Sequence, residues 1–132
     1  MTTLPTELVL LGWSVLLLVA QIMLQGQLAT RERGLDWNAG ARDGEAKPLG
    51  THAGRAARSL ANFQETYPAF VALALGLAVS GRTGGIGEWG AILWFVARIA
   101  YVPLYLLGIP YLRSLVWAAS MLGLLLMLIR FL

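Results

Sequence analysis

Four long apolar stretches divide the chain, and polar or glycine-rich segments separate them. No charged residue occurs between Glu7 and Arg31, and positions 8–24 are almost entirely apolar. An interval of about twenty such residues is enough for a helix to cross a bilayer. The pattern predicts helix one over 6–29. Residues 30–54 lack apolar periodicity and are rich in Gly, Arg and Asp, so they read as a loop, long for a connection between helices. Helix two is predicted over 55–80, amphipathic in its first half and apolar in its second. Pro68 frees a backbone carbonyl within it and predicts a kink. After the glycine-rich turn SGRTGGIGE, helix three is predicted over 89–107, ended by Gly108 and Pro110. Helix four follows over 111–132. The expected fold is one all-α domain, 1–132: an integral membrane four-helix bundle of up-down topology.

Composition strengthens the membrane reading. The chain is 58% hydrophobic and 13% charged, whereas soluble domains carry about 25% charged residues. A net charge of +3 with a pI near 9.8 would suit nucleic acid, but the basic residues flank apolar runs instead of clustering, which excludes that partner here. They serve better as topology signals. Arg31, Arg33, Arg42 and Lys47 follow helix one and Arg113 follows helix three, against Arg82 and Arg130 on the other side. The positive-inside rule therefore puts the first and third connecting loops in the cytoplasm, in a cell inner membrane. The first residues are polar with an acidic Glu7, and no small-residue cleavage site follows the apolar run, so that run reads as a retained span rather than a signal peptide. With no cysteine and one histidine, His52, in the polar loop, no metal site is expected.

Two polar rows interrupt the apolar pattern. Arg58, Asn62 and Glu65 have offsets of four and seven, which put them on one face of helix two. Arg98, Tyr101 and Tyr105, at offsets of three and seven, share one face of helix three. Ionisable groups inside a membrane are costly, so they mark functional sites by default. Helices two and three are expected to be antiparallel. Counted inward from the cytoplasmic face, Arg58 is level with Tyr105, Asn62 with Tyr101, and Glu65 with Arg98 about 15 Å deep at the helical rise. Opposite charges at equal depth predict a Glu65–Arg98 ion pair, within one subunit or between two. The surplus of Arg58, Asn62, Tyr101, Tyr105 and Arg113 forms a basic, hydrogen-bonding cluster. Arginine forks take carboxylates, a carboxylate takes an ammonium, and tyrosines supply hydroxyls and flat walls. A small anionic zwitterion or a lipid headgroup fits.

The segment RAARSLANFQETYP, holding Arg58, Asn62, Glu65 and Pro68, resembles the second-helix motif of the MAPEG family, membrane-associated proteins in eicosanoid and glutathione metabolism. ARIAYVPLY resembles its third-helix pattern through Arg98, Tyr101 and Tyr105. Arg113-Ser114 opens the fourth helix and Arg31 closes the first, so the likeness covers the whole chain, in the manner of bacterial members. The resemblance implies a homotrimer that binds glutathione as co-substrate between subunits. It assigns Arg31, Arg58, Asn62, Glu65, Arg98, Tyr101 and Tyr105 to glutathione. Arg113 would stabilise the thiolate, with Ser114 adding a hydrogen bond. A cation beside sulfur lowers a thiol's pKa, which makes that role sound. Ala61 departs from members that carry an arginine there, and the spacing from Tyr105 to Arg113 is intermediate between those of family members.

The implied function is transfer of glutathione to lipophilic electrophiles, or reduction of lipid peroxides. Whether the chain is such a transferase- or peroxidase-like enzyme is not fixed by these residues. The alternative is a non-catalytic lipid-binding or scaffold protein of the same fold. A small multidrug transporter ranks last, because it needs a membrane-embedded carboxylate that helix one lacks between Glu7 and Arg31.

Overall fold

The computed structural model describes residues 3–132, which are all-helical without strands. Four long helices, α1 (Thr6–Arg33), α3 (Thr51–Val79), α4 (Gly85–Leu106) and α5 (Pro110–Phe131), are joined by short turns and by one long segment that holds α2 (Leu35–Ala39). α1, α4 and α5 are each long and apolar enough to cross a membrane. α3 is as long but does not reach that standard, and its first half carries the polar Arg55, Arg58, Asn62 and Glu65. Large apolar side chains such as Leu16, Val19, Leu115 and Leu125 point outward along the spans, as lipid-solvated helices require.

Neighbouring helices run antiparallel. Along α3 and α4, Asn62 meets Arg98 and Phe70 meets Trp94, so positions rise on one helix as they fall on the other. α3 and α4 touch each other and both remaining long helices, while α1 and α5 lie on opposite sides. The core sits at mid-height. Trp94 is fully buried there, stacked on Phe70 at 3.8 Å and flanked by Phe63 and Tyr67. Ser14 of α1 shares a 2.8 Å hydrogen bond with the Tyr67 hydroxyl, which satisfies both polar groups inside the apolar layer.

α4 and α5 pack most tightly. A Cβ on Gly90 would lie 2.5 Å from the Gly123 carbonyl oxygen, and one on Gly123 equally close to that of Gly90. The two backbones therefore touch, a contact only small residues permit. At the far end, the buried Glu7 accepts the Gly84 amide hydrogen at 3.0 Å, which places a carboxylate at the N-terminus of α4.

Several expectations change. Helix one runs on to Arg33, ended by Gly34 at a φ of 91°. Helix two begins at Thr51 and helix three at Gly85, each four residues before the predicted start. The 30–54 segment, expected as one loop, is helical at 30–33, 35–39 and 51–54, and side-chain bonds fasten the rest. Arg42 donates to the Asn38 carbonyl and side-chain oxygens, Asn38 to Thr30, and Thr30 to the Gly26 carbonyl. Farther along, Arg33 donates to the Lys47 carbonyl, and the Gly50 amide to Glu32. The last two bonds span 14 and 18 residues, a separation that periodicity does not register.

Candidate functional site

Three helices converge above the core at the end that carries α2 and the α4–α5 turn. α3 brings Arg58, Ala61, Asn62 and Glu65, α4 brings Tyr101 and Tyr105, and α5 brings Arg113, Ser114 and Trp117. They line one open cleft of about 450 Å³. Every predicted site residue is there except Arg31 and Arg98.

The turn that makes this possible is short and specific. The Ile109 amide donates to the Leu104 carbonyl and the Gly108 amide to the Tyr105 carbonyl, both at 3.1 Å. This paired closure needs a left-handed residue after the helix cap, and Gly108 supplies it at a φ of 71°. Arg55 of α3 donates to the Leu106 carbonyl at 3.1 Å, binding one of α4's open terminal carbonyls. Pro110 then starts α5, where its missing N–H is no loss. The result brings Arg113 back over the end of α4, its guanidinium 4.6 Å from the Tyr105 ring centre.

Arg98 lies under the cleft floor rather than in its wall. It is 1% exposed, and its guanidinium rests 4.4 Å from the Tyr101 ring centre and 5.5 Å from that of Phe63. Nη1 donates to Asn62 Oδ1 at 2.9 Å, while Nε and Nη2 have no partner among the described residues. The predicted Glu65–Arg98 ion pair is therefore not formed within the chain. Glu65 is exposed at the cleft instead. Equal-depth counting treats side chains as points on their helices. A long arginine reaches to the next turn of α3, and there it meets Asn62. A guanidinium only donates, so this bond fixes the amide with Oδ1 inward and leaves the Nδ2 donors for the cleft.

Tyr101 and Tyr105 meet edge to face at 5.6 Å. Arg98, Tyr101, Tyr105 and Arg113 thus form a continuous row, two rings between two cations, that rises from the core to the cleft mouth. Ser114 donates its hydroxyl to the Pro110 carbonyl at 3.2 Å, within its own helix. Its proton is therefore already engaged.

Arg31 lies in a second groove of about 570 Å³, with Ile22, Met23, Gly26, Gln27, Thr30 and Asn38 on α1 and α2. Trp117 is the cleft residue that sequence reasoning missed. The signal was present, because offsets of four from Arg113 and three from Ser114 place it on the same face. Among the described residues no group of three or more acidic or histidine side chains could hold a metal.

The sequence matches a family model described as the MAPEG family over residues 10–132, nearly the whole chain. No curated protein and no solved structure matches it.

Proposed function

The chain belongs to the MAPEG family, and from that premise we propose that it binds glutathione as co-substrate in the α3–α4–α5 cleft. There it transfers the thiol to lipophilic electrophiles or reduces lipid peroxides. The observation that carries this reading is the charge layout of the lining: Arg58 and Arg113 against Glu65. Glutathione offers two carboxylates, one ammonium and a thiol that becomes anionic. Arg58 suits a bidentate grip on a carboxylate and Glu65 suits the ammonium. The Asn62 Nδ2 group and the tyrosine hydroxyls supply neutral hydrogen bonds. Arg113 provides the cation that stabilises the thiolate, the nucleophilic form.

In this reading Arg31 reaches glutathione only from a neighbouring copy, since its own groove is separate from the cleft. A homotrimer in which α1 of one subunit flanks the cleft of the next supplies that contact. The polar first half of α3 is then shielded between subunits, so that it spans with the other three helices. The first and third connections face the cytoplasm.

Titration of detergent-purified protein with glutathione tests the reading. Binding that weakens in Arg58→Ala is expected, and no binding at millimolar glutathione overturns it. The alternative is binding without turnover, in which the same lining holds a ligand and Arg113 activates no thiol. Thiolate absorbance in the glutathione complex separates the two, being present for the enzyme and absent for the binder.

A further inference from the structure

We infer that Trp117 sets which electrophiles the cleft accepts, favouring flat, electron-poor aromatic rings over flexible alkyl chains of like reactivity. The inference rests on the proposed thiol site and adds the character of the second substrate. Arg113, Ser114 and Trp117 follow one another on a single face of α5, so Trp117 lies one turn beyond the thiolate's cation. That turn leads away from the α4–α5 turn and toward the middle of the span, the direction from which an apolar molecule arrives. The indole is 39% exposed, so its surface is available to a ligand.

The rest of the lining sharpens the assignment. Arg58, Asn62, Glu65 and Arg113 are polar and suit the tripeptide. Tyr105 already has its ring covered by Arg113 and its edge contact with Tyr101. Ala61 and Trp117 are left as the apolar part of the wall, one small and one large and flat. An indole face is electron-rich and prefers a ring of opposite quadrupole in offset stacking. An alkyl chain gains only area from the same surface. With an activated aryl halide, the sulfur forms a bond to the ring carbon, and the halide departs with the bonding pair. The stack holds the ring while it accepts the negative charge.

The test compares wild type, Trp117→Leu and Trp117→Phe in detergent with saturating glutathione. Chlorodinitrobenzene serves as the aryl probe and nonenal as the alkyl probe. Trp117→Leu is expected to lower the aryl-to-alkyl ratio of kcat/KM by about tenfold, the upper range for an aromatic pair. Trp117→Phe should retain most of the ratio, and glutathione affinity should stay within about twofold, far below that change. An unchanged ratio in Trp117→Leu, or equal losses in Leu and Phe, overturns the inference. A separate readout keeps it distinct from the glutathione reading. Unreactive meta-dinitrobenzene, followed by equilibrium dialysis, should bind wild type and Trp117→Phe more tightly than Trp117→Leu. Equal binding to all three overturns the inference even if glutathione turnover is normal. Graded binding without any glutathione affinity sustains it and removes the thiol site alone.

Discussion

Arg98 and Asn62 form the hinge between the core and the cleft: one guanidinium nitrogen donates to the amide oxygen at 2.9 Å, and the arginine is otherwise buried against rings. Removing the amide leaves a buried charge with no hydrogen-bond partner. Asn62→Ala is expected to lower stability by about 2 kcal/mol, the range for a hydrogen bond to a charged group. Asn62→Asp gives Arg98 a carboxylate and should unfold later than Asn62→Ala. It also replaces the amide donors on the cleft side with acceptors, so glutathione should bind it weakly. Thermal unfolding in detergent and glutathione calorimetry check the pair of outcomes. Equal stability of the Ala and Asp variants would show that Asn62 does not support Arg98.

Arg113 and Ser114 adjoin in sequence but should separate in function. Arg113→Ala should abolish thiolate absorbance and lower turnover by about 100-fold, as loss of one preorganised electrostatic contact does. Arg113→Lys keeps the charge but not the guanidinium that lies over Tyr105, so it should recover only part of the activity. Ser114→Ala should change turnover less than threefold (about 0.6 kcal/mol), because its hydroxyl donates to Pro110. A Ser114→Ala defect as large as that of Arg113→Ala would mean the hydroxyl turns to the thiolate during reaction.

Much of this was legible in the sequence, and the failures have a common cause. The polar rows were found because helical spacing puts Arg58, Asn62 and Glu65 on one face and Tyr101 and Tyr105 on another. Apolar runs predicted four spans, and three of them are helices long and apolar enough to cross a membrane, because burial in lipid leaves a long uninterrupted signal. What the pattern could not supply was reach. The partner of Arg98 depends on side-chain length and on where α3 starts, at Thr51 rather than 55. Trp117 stands inside the apolar run of helix four, where its offsets from Arg113 and Ser114 are the one mark of the cleft beside it. The fastening of 30–54 through Asn38 and Thr30 depends on contacts that no periodicity encodes.

The α4–α5 contact should tolerate no Cβ at its centre. Gly123→Ala would set a methyl group 2.5 Å from the Gly90 carbonyl oxygen and 2.8 Å from the Trp94 nitrogen, both backbone atoms that cannot turn aside. The helices must separate, and a loss of about 1–3 kcal/mol is expected, as for overpacking. Gly12 of α1 has open space around its missing Cβ. There Gly12→Ala should be neutral or stabilise by about 0.5–1 kcal/mol, through helix propensity alone. Unfolding midpoints in detergent check the contrast, and similar shifts for both variants would refute the close crossing.

Gly108 should control the site without lining it. Its left-handed backbone, at a φ of 71°, closes the end of α4, and a Cβ would meet the Arg55 guanidinium at 2.7 Å. A side chain there meets two obstacles, the backbone conformation and the arginine that binds the Leu106 carbonyl. Gly108→Ala should destabilise by about 1–2 kcal/mol, the range for a non-glycine residue in that conformation. Its second effect separates it from a general packing defect. This turn sets where Arg113 stands over Tyr105, so the variant should lose thiolate absorbance and kcat while keeping most of its glutathione affinity, which rests on α3. Arg55→Ala removes the terminal contact but leaves the glycine conformation intact, so it should show a weaker form of the same split. A uniform fall in binding and turnover in Gly108→Ala would mean that the turn holds the whole cleft rather than the thiolate's cation.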